Sequence, residues 1–282
     1  MSKLLVIDKC AFQGIQEPLL IEFVNNYNVV LPYVLGIECL MSENKQTAKQ
    51  GKDPIGLLHR VDDVVKAGAY FGRSSRSILQ EEKKSRRSVG SLIDEDVTQR
   101  IREGRLILTK DLVEHEARIC RQTFQPLCDF LSQLALTYLT NIQKKDLHSD
   151  FQKEIQGTCT VDRFRKWLQV AQQMKTAILD YWIPDMVSDI MDEWYTWQVI
   201  RLWWAWTIEW AGKRAHIPQR IHTFDVSNDL YDMEYVAYLS RAEGLLTHDE
   251  RLVVPLAQAA FPDKDVFSSL DEVPEEYLCH WS

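Results

Sequence analysis

The stretch Leu4-Leu5-Val6-Ile7-Asp8 decides how the rest of the chain is read. Four apolar residues in a row, two of them β-branched, describe a strand buried on both faces, as in a parallel sheet. The run stops on Asp8, and a carboxylate at the edge of a core needs a partner. Outward from there, Pro18 opens a short helix over residues 17–25 in the first-turn position, where its missing N–H does no harm. Asn28-Val29-Val30-Leu31 is a second short strand. Pro32 then starts a helix from Tyr33 to about Ser42 that carries Glu38. This β-α-β-α opening belongs to an α/β layered fold.

The other end of the chain returns to the same alternation. Asp229 to Glu243 reads as a helix that Gly244 ends, and Leu245-Leu246-Thr247 is a short strand leading to Asp249. A helix over residues 254–260 and a strand around Val266-Phe267 follow. Ligands of open α/β sheets bind outside the carboxyl ends of the strands, which places Asp8 and Asp249 to converge. Asp232 lies near the start of the helix that feeds the late strand, where free N–H groups hold and orient a carboxylate.

Between these ends the pattern changes. Residues 43–53 are polar and read as a loop, and Arg105 to Thr109 is a strand or a helix entry that periodicity does not decide. From Asp111 to about Arg214 the reading is helical, with Asp111 as a cap and Glu114 three positions on. Leu127, Leu131, Leu134 and Tyr138 recur at helical steps. Trp194, Trp197, Arg201, Trp204 and Ile208 form one stripe, and Trp203, Trp206 and Trp210 another, so that helix is buried on more than one side. The tryptophans are read as packing anchors before anything else, and as a protomer or partner interface if exposed. The most concentrated positive charge is Lys83-Lys84-Ser85-Arg86-Arg87.

Composition narrows the class. A 282-residue chain with 45% hydrophobic and 26% charged residues is an ordinary globular protein, and a net charge of -8 argues against a surface coated for non-specific nucleic-acid binding. It does not exclude a nuclease, because a bound cation inverts the charge that a phosphate meets. Six cysteines without a CxxC pair point to free thiols in a reducing cytoplasm. The apolar-looking stretch Trp194 to Ala211 is interrupted by Arg201 and Glu209, so no membrane span is expected. Zinc-protease, phosphate-loop and serine-hydrolase motifs do not occur.

Taken together, Leu4-Leu-Val-Ile-Asp8, Val30-Leu-Pro-Tyr-Val-Leu-Gly-Ile-Glu38, Asn228-Asp-Leu-Tyr-Asp232 with Ala237, and Gly244-Leu-Leu-Thr-His-Asp249 resemble the PIN-domain nucleases. That family shows an apolar strand ending in Asp, a Pro-opened helix bearing Glu, a D-x-x-D-like helix start and a strand closing in Thr-x-Asp. The resemblance covers about residues 1–45 and 222–270. It implies a PIN-like three-layer fold with a mainly parallel sheet, built from about 1–45 and 222–282 with a mainly helical insertion at about 46–221. It also implies a metal-dependent endonuclease using Mg²⁺ or Mn²⁺, acting on RNA more than DNA, with toxin or phage-defence ribonucleases as the nearest setting. Hard divalent ions choose carboxylate oxygens, which suits this set. On this reading Asp8, Asp232 and Asp249 are ligands, and Glu38 binds directly or through water. Asp229 is a fifth acid, and Thr247 bonds a ligand carboxylate or the scissile phosphate. Lys83, Lys84, Arg86 and Arg87 are the candidate substrate contacts, with Lys213, Arg214 and Arg220 near the phosphate path and His248 left without a role. Two other readings stand beside it: a silent PIN-like scaffold working through its Trp-rich helices, and a flap-type DNA nuclease.

Overall fold

A computed structural model describes residues 2–50, 56–143, 159–214 and 229–279. At its centre lies a five-stranded, all-parallel sheet in the order β3-β2-β1-β4-β5. The strands are β1 Leu5–Ile7, β2 Val29–Leu31, β3 Tyr70–Phe71, β4 Gly244–Leu246 and β5 Asp265–Phe267. All residues of β1, β2 and β4 are buried, the both-faces burial that their unbroken apolar runs demand. β1 sits in the middle, pairing Leu5 with Val29 on one side and with Gly244 on the other.

Helices α1 Lys9–Gly14 and α2 Glu17–Asn26 connect β1 to β2, and α3 Tyr33–Gln50 and α4 Leu57–Ala67 connect β2 to β3. After β4, helix α12 Val253–Ala260 leads to β5, and α11 Asp229–Tyr238 precedes β4. Right-handed crossovers leaving β1 and β4 in opposite directions put their helices on opposite faces. In agreement, α2 packs on α4, while α11 packs on α12.

The polar segment 43–53 is not all loop: α3 continues to Gln50. Glu, Lys, Gln and Ala are good helix formers whatever their polarity, and propensity outweighs the missing apolar stripe. β3 lies inside the 46–221 range expected to be helical, so the sheet draws one edge strand from there. Two residues are too few to show a strand pattern. Residues 105–109 form neither strand nor helix, and the Leu108 N–H donates to both oxygens of the buried Asp62 (3.2 and 3.1 Å). Thr109, not Asp111, caps the next helix, its hydroxyl accepting from the Leu112 N–H at 3.4 Å. Gly244 begins β4 instead of ending a helix. A side chain there would run into the Tyr277 ring, so only glycine allows the close approach.

The helical part comprises α5 Ser75–Ser85, α6 Glu95–Arg102, α7 Lys110–Gln143, α8 Val161–Gln173, α9 Lys175–Trp182 and α10 Tyr195–Arg214. α10 packs against α5, α7, α8 and α11. Trp194, Trp197, Trp203, Trp204 and Trp206 are all buried, so these indoles are taken up by internal packing and not by an exposed face. No helix among the described residues is long and apolar enough to cross a membrane.

Glu82 ties this part together. Its buried carboxylate accepts the N–H groups of Tyr195 (3.1 Å) and Thr196 (3.0 Å) at the start of α10, and that of Val89 (3.1 Å). A carboxylate at a helix N-terminus satisfies groups that have no partner within the helix. Glu82→Ala strands several buried donors and should cost about 3 kcal/mol of unfolding free energy. Chemical denaturation checks this, and a loss under ~1 kcal/mol would remove Glu82 as the tie between α5 and α10.

Candidate active site

Asp8 and Thr247 are the first residues after β1 and β4. Because Ile7 stands opposite Leu246 in the parallel register, the two side chains leave the sheet together. The Asp8 N–H donates to the Leu246 carbonyl at 3.1 Å, extending the ladder by one bond. Strand order reverses here, with crossovers departing in opposite directions, and such a switch point opens a crevice at the carboxyl ends.

Each acid is held by local backbone. Asp8, 2% exposed, caps α1: Oδ1 accepts from the Ala11 N–H at 2.8 Å, and Oδ2 accepts from the Thr247 hydroxyl. The same Thr247 oxygen accepts from the Asp249 N–H at 3.0 Å, so Thr247 bridges the two acids. Asp249 Oδ1 accepts from the N–H groups of Arg251 (2.9 Å) and Leu252 (3.0 Å) at the entry to α12. Asp8 therefore serves as a helix cap and Asp249 closes the turn before α12, which fixes both rotamers.

Glu38, 5% exposed, comes in from α3. Its Oε2 accepts from the Tyr235 hydroxyl at 2.7 Å and its Oε1 from Lys9 Nζ at 3.1 Å. Burial works against the Lys9 ammonium, but Glu38 and Asp232 more than offset it and raise its pKa. Asp232, in the first turns of α11, is near enough to act on Lys9 through its charge. Cys10 reports the same gathering: its thiol is pushed up to about 11 by burial and then by Asp8, Asp249 and Asp232. Acids from both ends of the chain thus share one crevice. Further in, the buried Glu234 accepts from the Ser75 hydroxyl at 2.5 Å, and burial with the nearby Glu38 charge lifts it to about 7.

The remaining expected residues divide. His248 is exposed, its ring lying against the backbone of Gly14 at the rim. The run Lys83, Lys84, Arg86 and Arg87 is exposed but does not join the acids. α5 starts just past the carboxyl end of β3 and runs away from it. Val89, beyond its end, accepts from Arg241 at 2.9 Å, three residues before β4 begins. The run therefore sits toward the amino ends of the strands, where Lys83 and Arg86 pair with Asp185 (3.6 and 3.5 Å) and Arg86 with Asp189 (2.9 Å). Charge density in the sequence carried no information about which end of the sheet it would reach. Arg220 and the side chains of Asp229, Lys213 and Arg214 lie outside what the structure describes.

Lys9, Tyr235 and Glu234 were not singled out from sequence. Tyr235 stands three positions after Asp232, on the same helical face, a signal that was there to use. Lys9, directly after Asp8, reads as a surface lysine until Glu38 is placed beside it.

The donor set is all hard oxygen, which suits Mg²⁺ or Mn²⁺ and not a thiolate-preferring ion. Among the described residues no three His, Cys, Asp or Glu side chains lie close enough together to hold a metal ion as they stand. Each carboxylate keeps further lone pairs beyond its recorded hydrogen bonds. Asp8 is pushed up to about 6, first by burial and then by Glu38 and Asp249, against the help of Ala11 and Thr247. A divalent cation would relieve that crowding of negative charge.

The sign for stability follows. Asp8 protonates more readily folded than unfolded, so its contribution is whole below pH 3.8 and is lost as pH rises through about 6. Without metal, Asp8→Asn should therefore gain on wild type by roughly 3 kcal/mol between pH 3.5 and 7.5. Denaturant titrations across that range measure the gap; a constant gap would contradict the shift.

No family model, curated protein or solved structure matches this chain, so the reading of the site rests on its own geometry.

Proposed function

We propose that the chain is a PIN-type, metal-dependent endonuclease acting on RNA. The observation that carries this is the Asp8–Thr247–Asp249 hydrogen-bond chain at the β1–β4 switch point, with Glu38 and Asp232 near enough to act on Lys9. A Mg²⁺ or Mn²⁺ ion would supply Lewis-acid polarisation of the phosphodiester and a more acidic water.

Asp8, Asp232 and Asp249 are the residues to hold it. Thr247 fixes Asp8 and Asp249 relative to one another, so the pair is positioned before any ion arrives. Tyr235 keeps Glu38 turned into the crevice, where that carboxylate can orient or accept a proton from water. Lys9 places one positive charge among the acids and offsets part of the repulsion that a phosphate meets there.

One observation favours a silent scaffold instead: both Glu38 oxygens already have partners, Lys9 and Tyr235. The two readings differ in what Mn²⁺ does. Under the nuclease reading, saturating Mn²⁺ raises the melting temperature by mass action, with a stabilisation of about 3 kcal/mol at 100-fold excess over Kd. The wild type then cleaves labelled single-stranded RNA, and Asp8→Asn is slower by ~100-fold or more, a loss of about 3 kcal/mol in transition-state stabilisation. Equal cleavage by both proteins, or no response to Mn²⁺ in either assay, defeats the proposal. Matched DNA oligonucleotides in the same assay separate a ribonuclease from a flap-type DNA nuclease.

A further inference from the structure

With the Lys83–Arg87 run at the far end of the sheet, a polyanion approaching the acids needs cations from elsewhere. Two arginines of α7 line a cavity of about 190 Å³ together with Glu114 and Ala117 of the same helix, Ile37, Leu40 and Met41 of α3, and Tyr231 of α11. None of the four acids lines this cavity, but it lies on the two helices that carry Glu38 and Asp232. Ile37 precedes Glu38 and Tyr231 precedes Asp232, and successive Cα atoms are about 3.8 Å apart.

The arginines are Arg118 and Arg121, exposed and one turn apart, so both project from the same face of α7. Neighbouring charges are already matched. Glu114 pairs with Lys110 at 3.7 Å and Glu116 with Arg76 at 3.9 Å. Among the described residues, neither Arg118 nor Arg121 forms an ion pair. Arg118 lies 3.1 Å from the His115 ring nitrogen, and the Arg121 charge acts on the Tyr231 phenol across the cavity. Two planar guanidinium forks over an apolar floor suit a ligand with anionic oxygens outside and flat rings inside.

We propose that this cavity seats the single-stranded RNA backbone beside the acids, with Arg118 and Arg121 bonding its phosphates and Ile37, Leu40 and Met41 receiving a base. The assignment rests on the nuclease reading and deepens it by giving part of the helical segment a substrate role. In a net-negative protein it also supplies local attraction, since charges farther off than about 8 Å are largely screened at physiological salt.

The test is fluorescence anisotropy with a labelled single-stranded RNA oligonucleotide in EDTA, where no cleavage occurs. Arg118→Ala and Arg121→Ala should each weaken binding about tenfold. Each should also lower the slope of log Kd against log salt by ~0.7. Arg87→Ala, at the other end of the sheet, should bind as wild type does. Unchanged melting temperatures verify that the exposed substitutions leave the fold intact. If the double variant binds RNA as tightly as wild type, the cavity assignment is overturned, whereas Mn²⁺-dependent cleavage by the wild type would leave the nuclease reading standing. If the wild type itself binds no RNA in EDTA, the assignment fails as well, and the cleavage assay then decides the nuclease reading separately.

Discussion

The parallel pairing of β1 with β4 is the constraint on which the rest of this structure depends. It joins Leu5 to Gly244 and Ile7 to Leu246, residues separated by most of the chain. A register slip of one residue would turn every side chain of a strand to the opposite face. Asp8 would then leave the Thr247 hydroxyl, and Thr247 would no longer connect Asp8 to Asp249. The three-residue strands are strong enough to hold this register because all of their side chains are buried, and any slip would carry Gly244 away from the Tyr277 ring that requires it.

Burial and charge work against each other at the crevice. The same core edge that positions Asp8 also makes its ionised form unfavourable, and Glu38 and Asp249 add to that cost. Cap hydrogen bonds from Ala11 and the Thr247 hydroxyl offset part of it, and the Lys9 ammonium pairs with Glu38 at 3.1 Å. An arrangement this crowded with carboxylates is poor as a purely structural device. Burying a carboxylate costs free energy unless it is paired and hydrogen-bonded, so the concentration of acids at a switch point is what gives the chemical reading its weight.

Legibility in the sequence followed burial. β1, β2 and β4 could be read because fully buried strands leave uninterrupted apolar runs, and Asp8 and Asp249 stand just past two of them. β3 could not, since Tyr70–Phe71 is too short to carry a period and borrows its register from β2. The stretch from Glu43 to Gln50 misled because polarity suggests loop while propensity favours helix. At the site, Asp8 and Asp249 were visible just past strand ends, Asp232 near a helix start and Glu38 within a Pro-opened helix, but Lys9 and Glu234 act only through partners supplied by other elements. The basic run failed for the same reason in reverse. Its charge is plain in the sequence, but the direction of α5 decides where it lies.

The separation that β1 and β4 span also sets a timetable. Asp8 and Thr247 are 239 residues apart, and at ribosomal speeds of about 5–20 residues per second the second arrives roughly 10–50 s after the first. Until then one edge of the central strand lacks its neighbour, and the acids have no common crevice. A growing chain therefore carries the parts of this crevice without the crevice itself, which cannot form until Thr247 and Asp249 have been made.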